Sequence, residues 1–418
     1  MDEDNENEDV IHDDEIFIDE DGDVEFDDMG NVENNEGERR PFDVNLPPAH
    51  QYLQLNGNDE LAHNLEDEEP GKVITVSILE MPIVLLPMQL LPFHTDYPLL
   101  VSQLQHAARE NKYIALKPKL DNVDTDIATL IQIRSLHEND GGLSVQAIGR
   151  QRCRIFNRHS AINGMPYAEV QVLEEKELPS FSHMLMPISF SRLQLEKVDG
   201  RFFFGGLPYF AAMTSHSHQT LRMSLTKHYV TEIAKWLYGW HVYDKVKRVL
   251  SQGNTSFSYW VAANLPVDME TRLRLLDQSC TDRRLREEYY IINQIDLIVC
   301  KSCGTVLGQM SHMINVSTDG NSAHYVNPGG YVHDLFTLSE VSSTVGYGVP
   351  SSECSWFPGY MWTIHECERC RQHVGWRFTS TTLTPSSFFG LTRRAIRPAD
   401  SRHPDTSNIQ RIEQLAIV

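Results

Sequence analysis

The sequence predicts an α+β multidomain protein, with a β domain over 71–178, a helical segment over 179–294 and an all-β domain over 295–402. Three observations carry this. Short apolar runs separated by turn residues fill the first region, apolar residues at helical spacing fill the second, and two Cys-x-x-Cys pairs lie in the third.

The N-terminal stretch stands apart. Residues 1–69 hold 26 Asp and Glu against only Arg39 and Arg40, so of a net charge of −22 the tail carries all the excess and the body is near neutral. A segment this charged buries too little apolar surface to offset the entropy of ordering. Residues 1–70 are therefore expected to be a disordered acidic tail, either solubilising or a dock for a basic partner. A near-neutral body argues against nucleic acid as a direct partner. The first twenty residues lack an apolar signal core, and Met81–Phe93, the most apolar stretch, is cut by Pro82, Pro87 and Pro92. A soluble intracellular protein without membrane contact is expected. Seven cysteines in 418 residues do not make a disulfide scaffold.

Within 71–178 the runs Val73–Leu79, Ile127–Ile133, Leu143–Ile148 and Ala168–Leu173 read as strands. Asn139-Asp140-Gly141-Gly142 reads as a hairpin turn, and residues 99–110 as an amphipathic helix. Thr231–Leu250 carries Ile233, Ala234, Leu237, Tyr238, Val242, Val246 and Val249 at helical spacing and predicts one helix. Asp268 is placed to cap a helix over Met269–Leu276, and a further helix is expected over Asp282–Ile298. Residues 181–225 give no clear pattern. From Cys300 onward the chain reads as strands and turns, including the run Val374–Phe378, and 403–418 as a C-terminal tail.

Cys300-Lys-Ser-Cys303 and Cys367-Glu-Arg-Cys370 each set two thiolates on one tight turn. Two such knuckles supply a tetrahedral S₄ set, which suits one Zn²⁺ at about 2.3 Å per bond and leaves no open position for catalysis. The 63 intervening residues make this a domain tied by the ion rather than a short ribbon. A redox pair is the competing reading, but neither pair opens a helix beside a strand. Cys153, Cys280 and Cys354 remain as isolated thiols.

Trp356, Trp362 and Trp376 fall within 21 residues, followed by Phe378. Trp376 and Phe378 are two apart on an expected strand and so share a face. Trp356 and Trp362 flank Phe357-Pro358-Gly359-Tyr360, a turn sequence that can bring them together. The cluster reads either as core packing or as a box for a flat neutral ring or a cation.

These motifs carry a resemblance. Cys300–Cys303, Tyr325-Val326-Asn327-Pro328-Gly329-Gly330-Tyr331-Val332-His333, Ser355-Trp356-Phe357-Pro358-Gly359-Tyr360-Met361-Trp362-Thr363, Cys367–Cys370, Gly375-Trp376-Arg377-Phe378-Thr379 and Gly390-Leu391-Thr392-Arg393 together resemble the thalidomide-binding (CULT) domain of the cereblon family. Met81–Pro87, Pro98-Leu99 and Gly149–Ile155 look like a Lon protease N-terminal domain. Trp236-Leu237-Tyr238, Phe257-Ser258-Tyr259 and Ala262–Pro266 are similar to that family's adaptor-binding helices. The resemblance spans roughly residues 73–400.

It implies that Cys300, Cys303, Cys367 and Cys370 hold one structural zinc. It implies a pocket walled by Trp356, Trp362 and Trp376 and supported by Phe378, with Asn327, Pro328, Glu353, Cys354 and Ser355 around it. The implied ligand is a cyclic imide, whose edge pairs with backbone near 354 and 356. The implied role is a non-catalytic substrate receptor of a cullin–RING ubiquitin ligase, cytoplasmic and nuclear. The helical segment would bind a β-propeller adaptor of the damaged-DNA-binding protein 1 type, and target proteins would carry C-terminal cyclic imides. Two positions depart from the family pattern: Cys354 and Gly329 each stand where His is common. The alternatives are a reader of methylated lysine, and a sulfoxide reductase acting through Cys354, since CULT domains resemble methionine sulfoxide reductase B in fold. Lon-type proteolysis is not expected, because the sequence has no GxxxxGKS/T ATP loop (Gly71-Lys72 is followed by Val73) and is too short for an ATPase plus a protease domain.

Overall fold

The computed structural model describes residues 39–44, 65–121, 123–139, 142–161, 164–177, 226–240, 243–317 and 320–402. The expectations for 1–38, 45–64, 178–225 and 403–418 lie outside these. In chain order the elements are β1 (Arg40–Pro41), β2 (Val73–Met81), β3 (Leu90–Thr95), α1 (Pro98–Arg109), β4 (Ile114–Pro118), β5 (Ile127–Asn139), β6 (Gly142–Ser160) and β7 (Pro166–Val172). Then come α2 (Thr226–Tyr238), α3 (Tyr243–Leu250), α4 (Asn254–Asn264), α5 (Met269–Asp277) and α6 (Thr281–Gln294). The last third holds β8 (Leu297–Cys300), β9 (Val306–Gln309), β10 (Ser322–Val326), β11 (Val332–Leu338), β12 (Thr344–Ser351), β13 (Met361–Cys367), β14 (His373–Thr379), β15 (Leu383–Thr384), β16 (Ser387–Thr392) and β17 (Ile396–Ala399).

The first β domain closes on itself. Its strand order is β3-β6-β5-β4-β2-β7, and β7 also pairs with β6. The 19 residues of β6 make this possible: it pairs β3 along Leu143–Ile148 and β7 along Cys153–Ser160. The ring β6-β5-β4-β2-β7 therefore has no open edge, while β3 lies outside it, paired with β6 alone. The strands expected on either side of the hairpin turn pair antiparallel out to Asn139 opposite Gly142, while residues 140–141 of the turn lie outside the described residues.

In the helical segment, Asp268 caps α5 as expected, its Oδ1 accepting from the Thr271 N–H at 2.8 Å. Two helix boundaries differ from the sequence reading. Thr231–Leu250 is not one helix: the N–H groups of Gly239 and Trp240 donate three residues back, to the Trp236 and Leu237 carbonyls, which tightens and ends α2. The helix expected to reach Ile298 stops at Gln294, because Leu297–Cys300 pairs as β8 with β9 and β17. No described helix is long and apolar enough to cross a membrane.

The last third has a small sheet, β17-β8-β9, and a larger antiparallel one, β10-β11-β16-β14-β13-β12. A single apolar core runs through all three regions, from Val84, Leu86 and Leu91 through Leu237, Phe257 and Leu276 to Phe336, Leu391 and Ile396. A separate aromatic core of Tyr325, Trp356, Phe357, Tyr360, Phe378 and Phe388 lies on the larger sheet.

A buried ion cluster pins the regions together. Asp334 on β11 accepts from Arg272 of α5 at 2.8 Å and from Arg393 at 3.0 Å, and all three side chains are essentially buried. Arg272 also donates to Gln89 of the barrel domain. Arg393 reaches the Leu265 and Val267 carbonyls at 2.5 and 2.7 Å.

The acidic N-terminal stretch is corrected at two places. β1 pairs in parallel with β15, and the Phe42 ring packs 5.5 Å from Tyr360 and 6.3 Å from Phe357. Farther on, the Glu68 N–H donates to Gln151 Oε1 at 2.8 Å and the Tyr113 hydroxyl to the Glu66 carbonyl at 3.0 Å. The pairing at 40–41 is too short to leave a periodic signal, and one phenylalanine supplies its burial.

Candidate zinc centre and aromatic cage

The two knuckles are built alike. β8 ends at Cys300 and β13 ends at Cys367. Four residues on from each, Gly304 (φ +74°) and Arg371 (φ +60°) adopt the left-handed conformation and donate N–H groups back to the Cys300 and Cys367 carbonyls, both at 2.9 Å. Each turn thereby presents both sulfurs to one point. The four Sγ atoms lie within 4.8 Å of one another, with Cys300–Cys370 at 3.6 Å and Cys303–Cys367 at 3.5 Å. A tetrahedral ion with sulfur at about 2.3 Å has S···S edges of about 3.8 Å, so the sulfurs are spaced for Zn²⁺. Burial pushes the Cys300 thiol up to about 12, whereas hydrogen bonds from the Thr305 hydroxyl and N–H pull Cys303 down to about 6. Loading the site therefore displaces protons. The other three cysteines lie outside this set: Cys153 and Cys280 are buried and Cys354 is half-buried.

The candidate cage stands on the larger sheet, the one that carries Cys367. Trp362 of β13 is opposite Phe378 of β14, and Ile364 is opposite Trp376. Directly paired residues share a face, so Trp362, Trp376 and Phe378 project from one side, as the sequence spacing predicted for the last two. Gly375 makes room for this sheet: a Cβ there would lie 2.0 Å from the Gly390 carbonyl oxygen. Trp356 comes from the loop after β12. Its indole donates to the Val326 carbonyl at 2.5 Å, and its ring meets Trp376 edge-on at 5.1 Å. Trp362 donates from its indole to the Glu353 carbonyl at 2.8 Å, which ties that loop over the sheet. Phe378 is buried beneath, 4.7 Å from Phe357.

Around the cage, Glu353 is exposed, Cys354 half-buried at φ +52°, and Ser355 buried with its hydroxyl donating to the Phe357 carbonyl at 3.2 Å. Asn327 and exposed Pro328 form the turn after β10, with Asn327 Oδ1 accepting from the Tyr331 N–H at 2.9 Å. Sequence reasoning did not single out the two histidines that bracket Trp376: His333 at 4.9 Å and His373 at 4.6 Å, both edge-on. Burial lowers both, with His333 at about 4, so both rings are neutral at physiological pH. Strand alternation through Tyr331 and His333 was the available signal.

The family described as the ATP-dependent protease La (LON) substrate-binding domain matches residues 75–294, and the family described as Yippee zinc-binding/DNA-binding/Mis18, centromere assembly, matches 297–409. The barrel, helices and zinc-tied sheet thus define a Lon substrate-binding region fused to a zinc-binding domain. Similar proteins include protein cereblon of Gallus gallus, at 30% identity with 85% of each chain covered. The Xenopus tropicalis protein is 31% identical, again covering 85% of each, and that of Danio rerio 30%, covering 85% of this chain and 88% of its own. The chain belongs to the cereblon family.

Proposed function

We propose that the protein is a substrate receptor of a cullin–RING ubiquitin ligase, and that its cage of Trp356, Trp362 and Trp376 captures cyclic imides, including those at the C-termini of target proteins. The observation that supports this is that Trp362 and Trp376 share one face of a zinc-tied sheet, with Trp356 packed on Trp376, in a chain of the cereblon family. A small neutral ring suits such walls. Its methylenes pack on indole faces, and its acceptor–donor–acceptor edge pairs with backbone of the 353–356 loop. The two histidines against Trp376 are neutral and the site has no buried carboxylate among the residues named, so a quaternary ammonium gains less than an imide here.

The role is binding, not chemistry. A tetrathiolate zinc has no open position for substrate. Ubiquitin transfer belongs to the partners recruited through the α2–α6 region, which we assign to a β-propeller adaptor. The protein would act in cytoplasm and nucleus.

Calorimetry with glutarimide tests the cage. Trp362→Ala is expected to weaken binding by more than about thirtyfold while the zinc content stays at one per chain. Unchanged affinity would remove Trp362 from the site. Affinity purification of the full chain with quantitative mass spectrometry tests the ligase role. A cullin complex is expected whether or not an imide is added, and its consistent absence would leave only a ligand-binding protein.

A further inference from the structure

The cage face does not end at the tryptophans. β12 is an edge strand of the larger sheet, next to β13. Its Tyr347 is opposite Ile364, which is opposite Trp376, and its Val345 is opposite Glu366. Register therefore sets Tyr347 on the same face as Trp376, two strands away. Strand spacing near 4.8 Å makes that about 10 Å, or roughly three extended residues of a bound chain. Tyr347 is 68% exposed and Val345 37%. Single exposed apolar residues are ordinary, but these two stand in line beside the cage on the sheet face that carries it.

One end of that face is roofed. Ser351 is opposite Trp362, and from there the chain turns over the sheet, with Trp362 holding the Glu353 carbonyl and Trp356 packed on Trp376. A ring held among the indoles is attached to its protein through one bond, so the polypeptide must leave the cage. With the Trp362 end covered by the loop, the direction that register sets beside the cage runs past Ile364 to the exposed Tyr347.

We propose that the Ile364–Tyr347 strip is a second subsite, which takes the two or three residues that precede a cyclised C-terminus and favours apolar or aromatic side chains among them. This rests on the imide-capturing reading of the cage. It gives the receptor a preference among C-termini that share the same terminal ring.

The test uses the full zinc-loaded chain and three probes: N-acetyl-aminoglutarimide, the same ring preceded by Gly-Gly-Gly, and the same ring preceded by Phe-Val-Phe. The apolar peptide is expected to bind about tenfold tighter than the glycine peptide, from the surface it buries. Tyr347→Ser should abolish that difference and leave N-acetyl-aminoglutarimide binding unchanged. Because Tyr347 is largely exposed, the variant is expected to fold, which an unchanged zinc content and tryptophan spectrum would verify. An equal apolar preference in Tyr347→Ser, or no preference in the unaltered protein, overturns the subsite while leaving the cage intact. Failure of N-acetyl-aminoglutarimide itself to bind overturns the cage reading and this inference with it.

Discussion

Cys367→Ser is expected to cost the protein both its zinc and the fold of its last third. Cys367 is buried where β13 ends, and its sulfur faces that of Cys303 at 3.5 Å across the cluster. A hydroxyl there is a poor zinc ligand and leaves a three-sulfur site. Structural zinc contributes about 10–16 kcal/mol at neutral pH in small domains, which matches or exceeds the whole stability of a typical domain at about 5–15 kcal/mol. The aromatic core lies on the sheet that Cys367 anchors, so the cage should be lost with the metal. Elemental analysis should fall from one zinc to near none, and the near-ultraviolet signal of the tryptophans should collapse. Cys354→Ser, outside the cluster, should keep both. One zinc per chain in Cys367→Ser, with an unaltered tryptophan signal, would contradict the assignment. Protons compete with the ion for the thiolates, so metal affinity should fall as pH falls, and a chelator should unfold the domain faster in mild acid.

The parts of this site legible in the sequence were those set by local geometry. A Cys-x-x-Cys turn brings its two sulfurs together wherever it occurs, and residues two apart on a strand share a face, so the zinc ligands and the Trp376–Phe378 pair could be read without tertiary information. Asp268 capping α5 is likewise a four-residue event. Non-local facts could not be read in this way. α4 is buried on every side from Phe257 to Asn264, so it has no polar face and no helical periodicity to detect. The end of α2 depends on one tight turn at Gly239 and Trp240. Phe42 reads as one apolar residue in an acidic stretch, and only the Phe357–Tyr360 surface makes it a docked side chain. The placement of Tyr347 beside the cage needs the registers of β12, β13 and β14 together. The same holds for charge: Arg272, Arg393 and Asp334 look like surface residues in a sequence, yet they are buried where three regions meet.

Asp334→Asn is expected to destabilise the whole body of the protein rather than one region. Burial alone would raise the Asp334 carboxyl, but Arg272 and Arg393 on either side hold it below its ordinary 3.8, so it stays ionised. With asparagine, two buried guanidinium groups lose their shared anion, and only neutral acceptors such as Gln89, Ser322 and the 263–267 carbonyls remain. Removing one partner of a buried pair costs about 3–5 kcal/mol. The loss should appear in denaturant unfolding, because Arg272 belongs to α5 and Arg393 to the zinc-tied region, while Gln89 ties in the barrel. Lys301→Ala, which breaks a half-exposed pair with Glu270, should cost no more than about 0.5 kcal/mol. The sign with pH follows from the depressed carboxyl. Its contribution is fully present above about pH 4, the ordinary aspartate value, and is lost as pH falls through the lower value it has when folded. Asp334→Asn should therefore lose the acid-dependent part of the unfolding free energy that the unaltered protein retains above that point. The ion cluster also sits one residue from His333, whose ring packs on both Trp356 and Trp376. A shift of β11 that relaxes the buried arginines would move the wall of the cage, so the variant should weaken imide binding even under conditions where it remains folded. Full imide affinity together with wild-type stability in Asp334→Asn would show that the buried cluster neither holds the regions together nor positions the cage.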